Sequence, residues 1–180
     1  MKRILYGLFL MLFILTGCDN LMNTPTKKVE NLLSKYQKND SVVIGQLGDV
    51  LLENEILNVN QKDVYKQAME RQYSNLMYKI KNEAIDGKTA VVEVEIEVYD
   101  YNKAIVNTEN ELLKSPEKFQ DETGNVNTGY YNDYKLEQIK NMNDRVTYTI
   151  NFTLTKVDDT WVVDDLTEAE RMKIHGIYPY

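Results

Sequence analysis

The sequence predicts an α+β fold in which N-terminal helices pack on a curved antiparallel sheet of about four strands. Three observations predict it. Apolar residues first recur at helical spacing, as Val29, Leu32, Leu33 and Tyr36 do. The period then changes to two, with Val92, Val94, Ile96 and Val98 alternating against Glu93, Glu95 and Glu97. Finally, Asp86-Gly87 and Asp158-Asp159 supply turn residues at the centre of two hairpins.

Each element has its own local reason. Thr24-Pro25 places an N-cap before proline at the first helical position, so a helix is expected from Pro25 to about Lys38. Asp40-Ser41 caps a second helix with Ile44, Leu47 and Leu51 inward, although Gly45 and Gly48 weaken it. Asn60 with Asp63 resembles a capping box for a third, carrying Tyr65, Met69, Tyr73 and Leu76 on one stripe. Tyr78 to Ile85 and Thr89 to Tyr101 make the first hairpin. Arg145 to Val157 and Thr160 to Leu166 make the second, which holds the single tryptophan, Trp161. Between the hairpins lies an insertion from Asn102 to Asn143. It is expected to hold a helix from about Lys103 to Lys114, a break at Ser115-Pro116, a polar loop from Asp121 to Gly129, and a second helical piece carrying Tyr131, Tyr134, Leu136, Ile139 and Met142.

The N-terminus carries a different message. Met1-Lys2-Arg3 is basic, and the apolar run from Ile4 to Leu15 is interrupted only by Tyr6 and Gly7. That run is shorter than the roughly 20 residues of a membrane-spanning helix, and it has the length of a signal-peptide core. Leu15-Thr16-Gly17-Cys18 follows directly and matches a lipoprotein processing box, with a small residue before the cysteine. The expected organisation is a signal peptide over 1–17, a lipidated tether over 18–24, and one α+β domain over 25–180. Cys18 would then carry the acyl chains, palmitate among them, and hold the domain on the outer face of the cell membrane.

Composition narrows the chemistry. Cys18 is the single cysteine, so its lipidation leaves the domain without a thiol nucleophile, redox centre or zinc thiolate. The mature length falls below that of two-lobed solute-binding lipoproteins. The formal charge is −7, and removal of Lys2 and Arg3 takes it to about −9. An acidic exterior argues against nucleic acid and against a polybasic grip on anionic lipid. No cofactor or metal is expected. Glu93, Glu95 and Glu97 lie on a straight strand and read as a solvated face paired with lysine and arginine. Asp121-Glu122-Thr123-Gly124-Asn125 lacks the acidic spacing of a calcium loop.

His175 is the single histidine. Catalysis would need an orienting carboxylate such as Asp164, Asp165 or Glu168, and the expectation is a surface or tail residue near a helix end. Tyrosine, with 13 copies, is the unusual abundance. Its apolar ring and hydrogen-bonding tip suit binding surfaces. If the insertion folds over the open end of the sheet, Tyr130, Tyr131 and Tyr134 line or lid a pocket there, with Tyr101 at the end of the second strand. Core packing is the competing expectation for most of these tyrosines.

The helical N-terminal pattern, the strand Trp161-Val162-Val163-Asp164-Asp165-Leu166 and the lipobox together resemble small Gram-positive lipoproteins with a cystatin-like or nuclear-transport-factor-like domain. The resemblance implies a cone in which a helix packs into the concave face of a bent sheet, often with a pocket at the open end. It implies little about activity, because fold alone does not fix function. The expected role is a non-enzymatic binding or accessory module that contacts an envelope protein or a small ligand. The alternatives are an isomerase or hydratase using the pocket, and a structural subunit of an envelope or secretion assembly.

Overall fold

The computed structural model describes residues 23–53 and 56–180, so the expected signal peptide and Cys18 lie outside the described residues. Three helices come first: α1 (Pro25–Gln37), α2 (Ser41–Glu53) and α3 (Val59–Ser74). Strands β1 (Met77–Asp86) and β2 (Thr89–Tyr99) follow, then α4 (Tyr101–Lys114), a 3-10 turn over Pro116–Phe119, and α5 (Thr128–Asn141). Strands β3 (Arg145–Val157) and β4 (Thr160–Val163) precede a closing helix, α6 (Glu168–His175).

The four strands form one antiparallel sheet in chain order, the α+β plan that the change of period predicts. Its register aligns the apolar faces. Ala90 pairs with Leu154, Val92 with Phe152, Val94 with Ile150 and Ile96 with Tyr148. All eight side chains are buried. Glu93, Glu95 and Glu97 point to the other face, where Lys81 pairs with Glu95 at 3.1 Å and Arg145 with Glu97 at 2.6 Å. Asp158 and Asp159 both take positive φ in the two-residue β3–β4 turn, as the twist of a tight hairpin demands.

Helix α1 begins where Thr24-Pro25 predicts, with the Thr24 hydroxyl accepting from Lys27 N. Its buried face, Val29, Leu33 and Tyr36, covers the apolar side of the sheet together with α6. In α2 the inward residues are Val43, Leu47 and Leu51, while Ile44 is half-buried. Helix α3 starts earlier than expected. Asn58 and Gln61, rather than Asn60 and Asp63, form the capping box. Gln61 is drawn inward because its amide also reaches Asp133 Oδ1 (2.7 Å) and Gly129 O (3.2 Å) on α5.

Three further boundaries depart from expectation. Strand β2 ends at Tyr99 because Asp100 caps α4, its carboxylate accepting from Lys103 N at 2.9 Å. Strand β4 ends at Val163 rather than Leu166, with Asp164 N still donating to Thr153 O. Helix α6 was not expected, although Thr167 and Glu170 make a full capping box and Gly176 ends the helix in the left-handed conformation.

Candidate functional site

Helices α2, α3, α4 and α5 do not close completely against one another. They leave a cavity of about 340 Å³, mostly apolar, with Leu51, Ile105, Leu136 and Ile139 among its walls. The spacing explains the lining. Ile105 and Glu109 are one turn apart on α4, while Tyr131 and Lys135, and Asn132 and Leu136, are one turn apart on α5. The insertion between the hairpins supplies part of the pocket wall, through α4 and α5. The pocket is built among helices, however, and no strand residue lines it, so it is not the open end of a sheet cone.

The polar groups of this cavity are few and poorly partnered. Lys135 makes no ion pair with any described residue, and its ammonium lies 5.2 Å from the centre of the Tyr131 ring. Burial holds Lys135 below the usual lysine range, with the Glu109 carboxylate opposing that shift. Burial raises the Tyr65 phenol, which keeps it protonated. Asn132 is 2% exposed, and its amide nitrogen makes one long contact, 3.4 Å, to Ile56 O. Its side-chain oxygen, like the Tyr65 hydroxyl, has no hydrogen bond to a described residue. An apolar hollow with a few convergent polar groups is the usual form of a small-ligand site.

The structure separates the tyrosines that the sequence groups together. Tyr131 lines the cavity. Tyr134, outside the cavity lining, meets Phe119 edge-on at 5.3 Å, and Tyr131 lies 6.0 Å from the same ring. Tyr130 stands 52% exposed, outside the cavity lining. Tyr101 is fully buried, and its hydroxyl donates to Ala68 O at 3.0 Å. It is a core residue, turned inward when Asp100 starts α4, and it cannot form part of a binding surface. Sequence reasoning missed Asn132, Lys135, Ile105 and Glu109. Their one-turn spacing was a signal, but nothing in the sequence says that α4 and α5 face each other.

His175 is not a surface residue. It closes α6, and burial pushes its imidazole down to about 4, with Arg171 adding to that shift. Its Nε2 lies 3.0 Å from the Tyr73 hydroxyl, which burial keeps protonated. The neutral ring and the phenol share that hydrogen bond. None of Asp164, Asp165 or Glu168 bonds to it, so the carboxylate that catalysis would require is not in place. The neighbouring backbone is held by Gln72. Its amide nitrogen donates to Tyr99 O and His175 O, both at 2.9 Å, and its oxygen accepts from Tyr99 N at 2.8 Å.

Two other features carry less chemistry. A wider, open hollow of about 660 Å³ runs between α1 and β4, with Lys28, Lys35, Lys38 and Trp161 on its walls. The Asp121 loop is a self-contained turn, in which Asp121 Oδ1 accepts from Thr123 N, Thr123 Oγ1 and Asn125 N. Those bonds hold the carboxyl below its ordinary value. Among the described residues no His, Cys, Asp and Glu group could hold a metal ion, and no helix is long and apolar enough to cross a membrane.

The fold and its cavity define an α+β domain with a helix-walled pocket. No family model and no curated protein matches the sequence. One solved structure is similar, a crystal structure of ycdA from Bacillus subtilis, a protein provisionally described as a lipoprotein. The identity is 12% and the TM-score 0.42, over 83% of this chain and 46% of that one. This chain thus spans less than half the length of that protein.

Proposed function

We propose that this chain is an extracytoplasmic lipoprotein, tethered through lipidated Cys18, whose domain acts as a non-enzymatic binding module for a small ligand. The observation that carries the binding role is the cavity between α2, α3, α4 and α5, where a few polar groups converge on apolar walls. The anchor rests on the sequence, where a basic start, a short apolar run and Leu15-Thr16-Gly17-Cys18 stand in order. The described chain begins at Asn23, whose side chain lies beside the β3–β4 turn. That side chain accepts from Trp161 N at 3.1 Å and donates to Asp159 O at 2.8 Å. The likeness to cystatin-like or nuclear-transport-factor-like lipoproteins rests on element order, the short strand from Trp161 and the lipobox.

A non-enzymatic role fits the titratable groups near the cavity. Proton-transfer chemistry needs an acid and a base held in an apolar site. Lys135 is half-buried, whereas Glu109 is exposed, and His175 is engaged with Tyr73 away from the lining. The anchor is tested by mass spectrometry of the mature N-terminus and by fractionation of Cys18→Ser. The expected results are a diacylated or triacylated cysteine, and release of the variant from the membrane. A Cys18→Ser chain that is processed yet stays membrane-bound overturns the tether. Cross-linking in the membrane tests the accessory role, and a stoichiometric partner that contacts the sheet and not the pocket would favour a structural subunit.

A further inference from the structure

We infer that the cavity between α2, α3, α4 and α5 binds an apolar molecule ending in a carboxylate, with Lys135 as its ion-pair partner. This rests on the binding-module reading and names the chemistry of its ligand. The walls set the body of the ligand. Leu51, Ile105, Leu136 and Ile139 offer aliphatic surface, and the volume of about 340 Å³ falls in the range of small-molecule sites.

Lys135 sets the sign of the head group. In a chain of formal charge −7, it is a half-buried cation with no ion pair to a described residue. A cation that has lost part of its water gains most from an anion brought into the same dry space. The face of Tyr131 at 5.2 Å gives it only the weaker attraction of a ring. Glu109 also lines the cavity, but it is exposed and solvated, so its repulsion of a ligand anion is screened. A ligand ammonium would stand beside Lys135 unfavourably, and a neutral ligand would leave Lys135 with no ion pair to a described residue.

Two neutral groups complete the arrangement. The Tyr65 hydroxyl and the Asn132 amide both line the cavity. Burial keeps the phenol protonated, so it can donate to a carboxylate oxygen. Asn132 is almost wholly buried, and its amide nitrogen, which makes one long contact to Ile56 O, has a second hydrogen to donate to the carboxylate.

The test is calorimetric titration of the full chain carrying Cys18→Ser, which removes competing acyl chains, with octanoate, 1-octanol and octylamine. Saturable octanoate binding is expected, at least about tenfold tighter than either of the others. Lys135→Met, which keeps the apolar stem, should weaken octanoate by about tenfold or more. Tyr130→Ala, outside the cavity, should leave it unchanged. Reductive 13C-methylation adds a direct readout, because the Lys135 resonance should titrate at higher pH once octanoate is bound. If Lys135→Met proves unfolded, that resonance decides alone. Octanol binding as tightly as octanoate, or an unaltered Lys135 titration, overturns the carboxylate assignment and leaves a binding pocket. Octylamine as the tightest probe moves the assignment to Glu109 and likewise overturns it. Saturable binding by none of the three removes the pocket as a site of this class, while the Cys18 tether stands or falls on its own experiment.

Discussion

His175 shows how one side chain can report on the closure of the whole C-terminus. Its ordinary value of 6.5 is pushed down to about 4 by burial, so it is neutral when folded and gains a proton more readily when unfolded. The stability this supplies is fully present above pH 6.5 and is lost as pH falls through about 4. Urea denaturation between pH 7 and 4 should show a loss on the order of 2–3 kcal/mol from this group. The same measurement on His175→Phe should show a smaller pH dependence. Beside it, Gly176 adopts φ 71°, and a Cβ there would collide with Tyr99 O and the Gln72 amide. Gly176→Ala should therefore destabilise by about 2 kcal/mol or more, measured by chemical denaturation. At Tyr101 the hydroxyl bond to Ala68 O is internal. Tyr101→Phe is expected to cost about 1 kcal/mol of stability while leaving octanoate binding unaltered.

At the scale of elements, the decisive joint is α3, β2 and α6 meeting around Gln72. One buried amide satisfies Tyr99 N, Tyr99 O and His175 O, three backbone groups that would otherwise lie unpaired. Gln72→Leu should cost about 3 kcal/mol, because backbone polar groups left dry are expensive. Thermal denaturation and hydrogen exchange should place that loss first in α6. Elements with strong local grammar were legible in the sequence. Thr24-Pro25 starts α1, Ser115-Pro116 ends α4, and alternation fixes which face of β2 and β3 is buried. The start of α3 was misplaced by two residues, since Asn58 and Asn60 offer similar cap chemistry. Contact of Gln61 with Asp133 and Gly129 on a distant helix goes with the earlier cap. Helix α6 was overlooked although Thr167-x-x-Glu170 and Gly176 mark both of its ends.

Across the whole molecule, the start of the described chain and the pocket are built from different elements. Asn23, the first described residue, sits beside the β3–β4 turn, whereas the cavity is walled by α2, α3, α4 and α5. The described chain thus begins away from the cavity walls. Release of the domain from the membrane, as in Cys18→Ser, should accordingly leave octanoate affinity the same within about twofold. A large change would mean that membrane or acyl chain takes part in the site.

The sequence by itself determined the class of fold, the hairpin turns and the buried face of each strand, because these follow from periods of two and 3.6 residues and from turn chemistry. It also carried the whole case for the Cys18 anchor. Only the tertiary structure decided which tyrosines are core and which are available. Tyr101 goes inward, Tyr134 packs on Phe119, and Tyr131 faces the cavity. The cavity itself was beyond the reach of sequence. Its groups lie on four helices far apart in the chain, and no local pattern encodes which helix faces meet or where their packing leaves space.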